Sequence, residues 1–235
     1  MKKTVKKRKV KKKAIFVSLV VLIILLFAVF YVFNFHITNI FISGNTIYTD
    51  QQIIDKLKLD DYPRTFNHFA LILKHELEKD KYILKANVKK KNLFREVYIY
   101  IEENTPLFIY NNETILKDGT KVNDKFEVPT LVNEIESEIV YNKLIKSLLK
   151  VDSKILHRIS EIKYEPNEVD KERFLLFMND GNNVYITLRK ITNINDYIDI
   201  ISAFNSKKGV LYLDSGEYFE PFGGWLWKTI KHLHL

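Results

Sequence analysis

The chain has 235 residues, 46% apolar and 28% charged, with no cysteine and a formal net charge of +8. That length holds one large domain or two small ones with adequate cores, and the missing cysteines exclude thiol catalysis, thiolate metal sites and disulfides. The charge is a tail: residues 1–13 carry nine basic side chains and no acid, 14–33 carry none, and 34–235 carry 28 basic against 29 acidic, a net of −1 that gives nucleic acid no electrostatic purchase on the body.

Taken in chain order, the basic tail 1–13 abuts Ala14–Phe33, twenty residues of which sixteen are Leu, Ile, Val or Phe. As a helix they span about 30 Å, the hydrocarbon thickness of a bilayer. Sixteen such side chains contribute about −5 to −10 kcal/mol toward insertion. Tyr31 and Phe33 stand at the outer end, where aromatics favour the interface. A cleaved signal peptide has a shorter apolar run and ends in small residues. Here Tyr-Val-Phe-Asn-Phe-His follows instead, so the segment reads as an anchor. With lysines on one side and no Lys or Arg in Asn34–Asn45, the N-terminus is expected in the cytoplasm and residues 34–235 outside. The tail lysines can touch anionic lipid heads.

Ile37–Ser43 is β-rich and ends at the turn signal Gly44-Asn45. Thr49 and Gln52 form a capping box for a short helix whose buried stripe is Ile53, Ile54 and Leu57. Asp60-Asp61-Tyr62-Pro63 ends it. Phe66, Phe69, Ala70, Leu73 and Leu77 recur at helical spacing and predict a second helix. Ile83–Lys90 and Leu93–Glu102 read as strands joined by Lys89-Lys90-Lys91-Asn92, the first alternating only weakly.

Pro106 opens a second unit. Short strands are expected at Leu107–Tyr110 and within Thr114–Val122, with a tight turn at Asp118-Gly119. Ser137–Lys150 is helical, with Val140, Leu144 and Leu148 on its apolar face. Ile159–Tyr164 is a strand, and Phe174–Met178 with Val184–Leu188 is a hairpin. Ile194–Phe204 is a helix. Val210–Leu213 and Glu217–Phe222 are the last strands, and Pro221 puts the second at a sheet edge.

This order of parts resembles the FtsQ/DivIB family of bacterial cell-division proteins. The resemblance is carried by Ile37-x-x-Ile40-x-Ile42-x-Gly44-Asn45 followed by Gln52-x-Ile54, by Glu102-Glu103-Asn104-Thr105-Pro106, and by Asp118-Gly119-Thr120. It implies an α+β fold with a basic cytoplasmic tail at 1–13, one transmembrane helix at 14–33, a POTRA module (β-α-α-β-β) at 36–104 and a mixed β domain with flanking helices at 105–222. A C-terminal tail at 223–235 has no counterpart in that pattern. Abundant Lys, Ile and Asn suggest an AT-rich genome, which points to the DivIB branch.

No catalytic constellation is evident. His36, His68, His75, His157, His232 and His234 lack zinc-enzyme spacing, and His75-Glu76 reads as solvated surface. Glu102 and Glu103 sit on opposite faces of one strand and cannot share a proton. Neither a serine-nucleophile motif nor a phosphate loop is present. The expectation is a non-enzymatic protein with no cofactor and no metal.

What remains is binding surface. An edge strand offers unpaired backbone groups to a partner strand. Tyr212, Tyr218, Phe219 and Phe222 crowd the last two strands, and half of such a set is ordinarily core. The resemblance implies that a small single-span partner of the FtsB/DivIC type docks there. Its contacts would be Val210, Tyr212, Glu217, Tyr218, Phe219, Glu220 and Phe222, with Tyr197 and Ile201 on the adjacent helix. It also implies FtsL-type proteins and septal wall synthases as associates, a place at the division septum, and a scaffold's part in controlling septal peptidoglycan synthesis. The competing readings are a membrane-anchored enzyme acting on wall or peptide, and a POTRA-type secretion chaperone.

Overall fold

A computed structural model describes residues 12–204 and 208–222. Residues 1–11 of the basic tail and the stretch 223–235, with Trp225, Trp227, His232 and His234, lie outside the described residues. The chain forms two compact units, dividing after Glu103.

The first unit begins with α1 (Lys12–Phe33), the one helix among the described residues that is long and apolar enough to cross a membrane. None of its side chains is buried. The exit from α1 is tied to the folded module by two backbone bonds, from Ile37 N–H to Pro63 O (3.0 Å) and from Thr65 N–H to Phe35 O (2.8 Å). β1 (Asn39–Ser43) follows and ends at Gly44. Gly44 has φ +87°, and a Cβ there would lie 2.1 Å from the Ile101 carbonyl oxygen, so only glycine fits. α2 (Asp50–Lys56) starts on the expected capping box: Thr49 accepts from Gln52 N–H and the Gln52 side chain accepts from Thr49 N–H.

α3 (Ala70–Glu78) is shorter than its apolar spacing suggested. Phe66 falls in a 3-10 turn at Thr65–Asn67, and Phe69 is the half-exposed N-cap. The reason is tertiary. The Thr65 hydroxyl is bonded to the Phe94 carbonyl and its amide to Phe35, which holds 65–67 off the helix axis.

β2 (Ile83–Lys91) and β3 (Glu96–Glu103) complete a three-stranded sheet in the order β1-β3-β2, with β1 parallel and β2 antiparallel to β3. A bulge between Ile83 and Lys85 shifts the register, which is why β2 alternates weakly in sequence. The predicted strand from Leu93 starts at Glu96 instead, because Asn92, Leu93 and Phe94 all take left-handed φ values of 47°, 55° and 65°. α2 and α3 cover one sheet face over a core that includes Ile53, Leu73, Leu77, Val97, Ile99 and Ile101. Element order β-α-α-β-β is that of the expected POTRA module.

The second unit is built on a nine-stranded sheet. β4 (Pro106–Tyr110), β5 (Glu113–Leu116) and β6 (Lys121–Val122) form successive hairpins. Asn111 and Asn112, at φ 50° and 63°, make the first two-residue turn, a signal the sequence reading passed over. The two-residue β7 (Thr130–Leu131) pairs in parallel with β4 and with β8 (Ile159–Tyr164), joining the halves of the sheet.

β9 (Arg173–Met178) and β10 (Asn183–Thr187) are the expected hairpin. β11 (Gly209–Tyr212) runs parallel to β10, and β12 (Tyr218–Pro221) lies outermost, antiparallel to β11. α4 (Glu138–Leu148), capped by Ser137, packs with the short α5 (Ser153–Leu156) on one sheet face.

The helix expected over Ile194–Phe204 is divided. A 3-10 segment runs over Leu188–Asp196 and only α6 (Tyr197–Ser202) is α-helical. The local cause is a run of short polar side chains that bond elsewhere: Asn195 accepts from Asp152 N–H and donates to Lys150 O, and Asn193 donates to Glu217.

Candidate interaction edge

Among the described residues, β12 has a hydrogen-bonded neighbour on one side only. Phe222 N–H turns inward onto Lys208 O at 2.8 Å. In an antiparallel pair inward amides alternate, so those of Tyr218 and Glu220 also face β11 and that of Phe219 faces out. Residue 221 would face out too, but it is Pro221 and has no amide hydrogen. Proline is tolerated here because no ladder bond is lost, as its position in the sequence suggested.

The pairing register places side chains by face. Tyr185, Tyr212 and Tyr218 are opposite one another across β10, β11 and β12. Their rings stack, Tyr185 on Tyr212 at 5.3 Å and Tyr212 on Tyr218 at 4.5 Å. The Arg173 guanidinium lies 3.7 Å over the Tyr185 ring and donates to Asp214 at 2.7 Å. One end of this ladder is therefore locked: both Arg173 and Asp214 side chains are nearly buried. Burial acts to raise the Asp214 carboxyl, but the bonds from Arg173 and Ser215 outweigh it and hold it below the usual carboxylate range. Burial, then the Glu220 charge, pushes the Tyr212 hydroxyl up. The other end, Tyr218, is exposed.

The nine residues named from sequence fall into three groups. Val210, Tyr212, Tyr218 and Glu220 share the ladder face, with Glu217 and Phe222 exposed at the two ends of β12. Phe219 points to the helix face and stacks on Phe204 at 4.6 Å, and Ile201 is half-buried against the same core. Tyr197 does not belong to the surface. It is 1% exposed, and its hydroxyl is engaged by Asp180 and Asn182 (2.9 Å each), so it has neither area nor a polar group left for a partner.

Sequence reasoning missed Arg173 and Tyr185. The alternation Asn183, Tyr185, Thr187 is the signal that could have put Tyr185 on this face. Nothing local could have paired Arg173 with Asp214, 41 residues away. Among the described residues no group of three or more His, Asp or Glu is placed to hold a metal ion.

The expected kinship can be set against known proteins. A family model for the FtsQ-type POTRA domain matches residues 35–104. The cell division protein DivIB of Bacillus subtilis (strain 168) is 29% identical over 202 residues, covering 80% of this chain and 74% of its own length. DivIB of Bacillus cereus is 29% identical over 198 residues, covering 80% and 77%. A solved structure of the major extracytoplasmic domain of DivIB from Geobacillus stearothermophilus aligns with 42% of this chain and 90% of its own at 20% identity and a TM-score of 0.35. Residues 35–104 are a POTRA domain of the FtsQ type, and the chain as a whole resembles the DivIB proteins of the FtsQ/DivIB family.

Proposed function

We propose that the chain is a non-enzymatic scaffold of bacterial cell division. α1 anchors it as a single membrane span with the N-terminus in the cytoplasm, as the lysine asymmetry supports. Residues 36–104 and 105–222 work outside as separate domains at the division septum. Confinement to the membrane plane raises the effective concentration of the scaffold toward other single-span proteins. The outer edge of β12 adds a strand from a small partner of the FtsB/DivIC type, in company with an FtsL-type protein, and the assembly helps control septal wall synthesis.

The observation that carries this reading is the open edge itself. Among the described residues β12 is the outermost strand, with the Phe219 amide turned outward, beside exposed Tyr218 and Phe222. Pro221 confines strand addition to its first half, residues 217–219. A photocrosslinker at Tyr218 or Phe222 should capture the small single-span partner in dividing cells, and one at Lys154, exposed on α5, should not. Deleting 217–235 removes β12 but leaves Leu211 and Leu213 in the core. That truncation should insert in the membrane and lose the partner. Undiminished recovery of the partner by it would overturn the proposal.

A further inference from the structure

The POTRA unit has a second exposed surface, at the end nearest α1. β1 begins six residues after α1 ends, and β3 runs parallel to β1 with Asn39 opposite Glu96. The β2–β3 hairpin therefore lies at the α1 end of the sheet, where Thr38 N–H bonds to Arg95 O at 2.7 Å. The Phe66 ring links the two, 4.8 Å from the ring of Phe33, the last residue of α1, and 5.8 Å from that of Phe94.

This end is apolar where a soluble module would be polar. Leu93 is 71% exposed and Phe94 51%, on a turn held in left-handed backbone that neither side chain favours. Beside it Phe69, Leu71 and Ile72 are exposed at the start of α3. A groove of about 570 Å³ runs between the two, lined by Phe66, Phe69 and Phe94 and by Lys89, Lys90 and Lys91. Lys90 Nζ donates to Thr65 O and Oγ1 (2.6 and 2.7 Å), and no carboxylate pairs with it among the described residues. The hairpin carries Lys89, Lys90, Lys91 and Arg95 against one acid, Glu96.

An apolar tip ringed by cations, continuous with a membrane-spanning helix, has the composition of a bilayer interface anchor. We propose that the Leu93-Phe94 hairpin and the start of α3 insert in the outer leaflet interface, with the exposed Lys89 and Lys91 on anionic phospholipid headgroups. The proposal rests on α1 being a membrane span. It gives the POTRA domain a fixed seat on the bilayer, so that the hairpin as well as the tether sets its orientation.

The chain has no cysteine, so single cysteines report position directly. Full-length protein carrying Asn92→Cys, Lys85→Cys or Leu22→Cys would be labelled with a fluorophore and placed in nanodiscs of phosphatidylcholine, with or without phosphatidylglycerol, containing brominated lipid as quencher. The expected result is quenching at 22 in both lipids, at 92 more strongly with phosphatidylglycerol, and none at 85. Phe94→Asp should abolish quenching at 92. Lys89→Gln and Lys91→Gln should each lower the docked-to-undocked ratio about fivefold in anionic discs.

Quenching at 22 with none at 92 overturns the docking and leaves the anchor standing. Absence of quenching at 22 overturns the anchor and the docking together. Protection of 92 that requires an added single-span protein would make the rim a protein contact and overturn the proposal.

Discussion

Glu103 shows how one side chain holds a segment that has no regular structure. It is 4% exposed at the end of β3, and its carboxylate accepts from the amides of Thr46 (2.8 Å), Ile47 (2.9 Å) and Tyr48 (3.3 Å) and from the Thr46 hydroxyl. Its neighbour Glu102 faces the other way and is exposed, as strand alternation required. Removing the carboxylate strands buried donors at about 1–3 kcal/mol. Glu103→Ala should therefore speed amide exchange at Thr46, Ile47 and Tyr48 by about tenfold or more, with α4 unaffected. Equal protection in the variant would show that the loop is held by other means.

Lys90 supplies a pH-dependent counterpart. Burial pushes its ammonium down from 10.5 to about 8. The folded state thus releases a proton that the unfolded state keeps between those values, so the unfolded state binds more protons and stability rises with pH. The burial penalty is felt in full below pH 8 and is relieved as pH climbs to 10.5. In thermal melts of the full chain, the difference between Lys90→Met and the parent should be largest at pH 7 and shrink toward pH 10.5. A difference independent of pH would mean that the groove does not depress this lysine.

At the scale of elements, strand boundaries followed backbone constraints more than apolar spacing. The capping box at Thr49–Gln52 and the turn at Gly44 were legible because each is a local rule with a local signature. Phe66 and Phe69 were misassigned to a helix because their spacing fits one, while the bond from Thr65 to Phe94, 29 residues away, decides otherwise. The long helix over 194–204 failed for a similar reason: Asn193 and Asn195 are committed to partners far along the chain.

Pro221 was read correctly as an edge residue, and the structure gives it a further consequence. It removes an outward donor from β12 and so limits what can pair there. Pro221→Ala restores that donor and should lengthen the usable edge, giving more edge-to-edge self-association in cross-linking of the purified chain. No change in association would mean that the backbone beyond residue 219 is inaccessible to strands.

At the scale of the molecule, composition had already divided the chain. The split of +9, 0 and −1 marked tail, span and body before any element was assigned, because long-range charge asymmetry and apolar length need no tertiary information. The order of elements in the POTRA domain was equally readable. Capping, turn glycines and apolar periodicity act within a few residues, and they specified most elements of that unit and the strands of the next except the two-residue β7, which is too short to carry a period. The sequence also located the last two strands as the surface to watch.

Tertiary structure alone decided which side chains those strands present. The β9–β10 and β11–β12 hairpins are local, but the parallel pairing of β10 with β11 joins residues as distant as Asn183 and Val210, so only the folded sheet could bring Arg173 and Tyr185 into one ladder with Tyr212 and Tyr218. Only packing could take Tyr197 into the core and turn Phe219 toward Phe204. Contacts between residues close in sequence are encoded where they are made. A surface is the sum of many long-range pairings, each stabilised by the others, and it exists only once the sheet has formed.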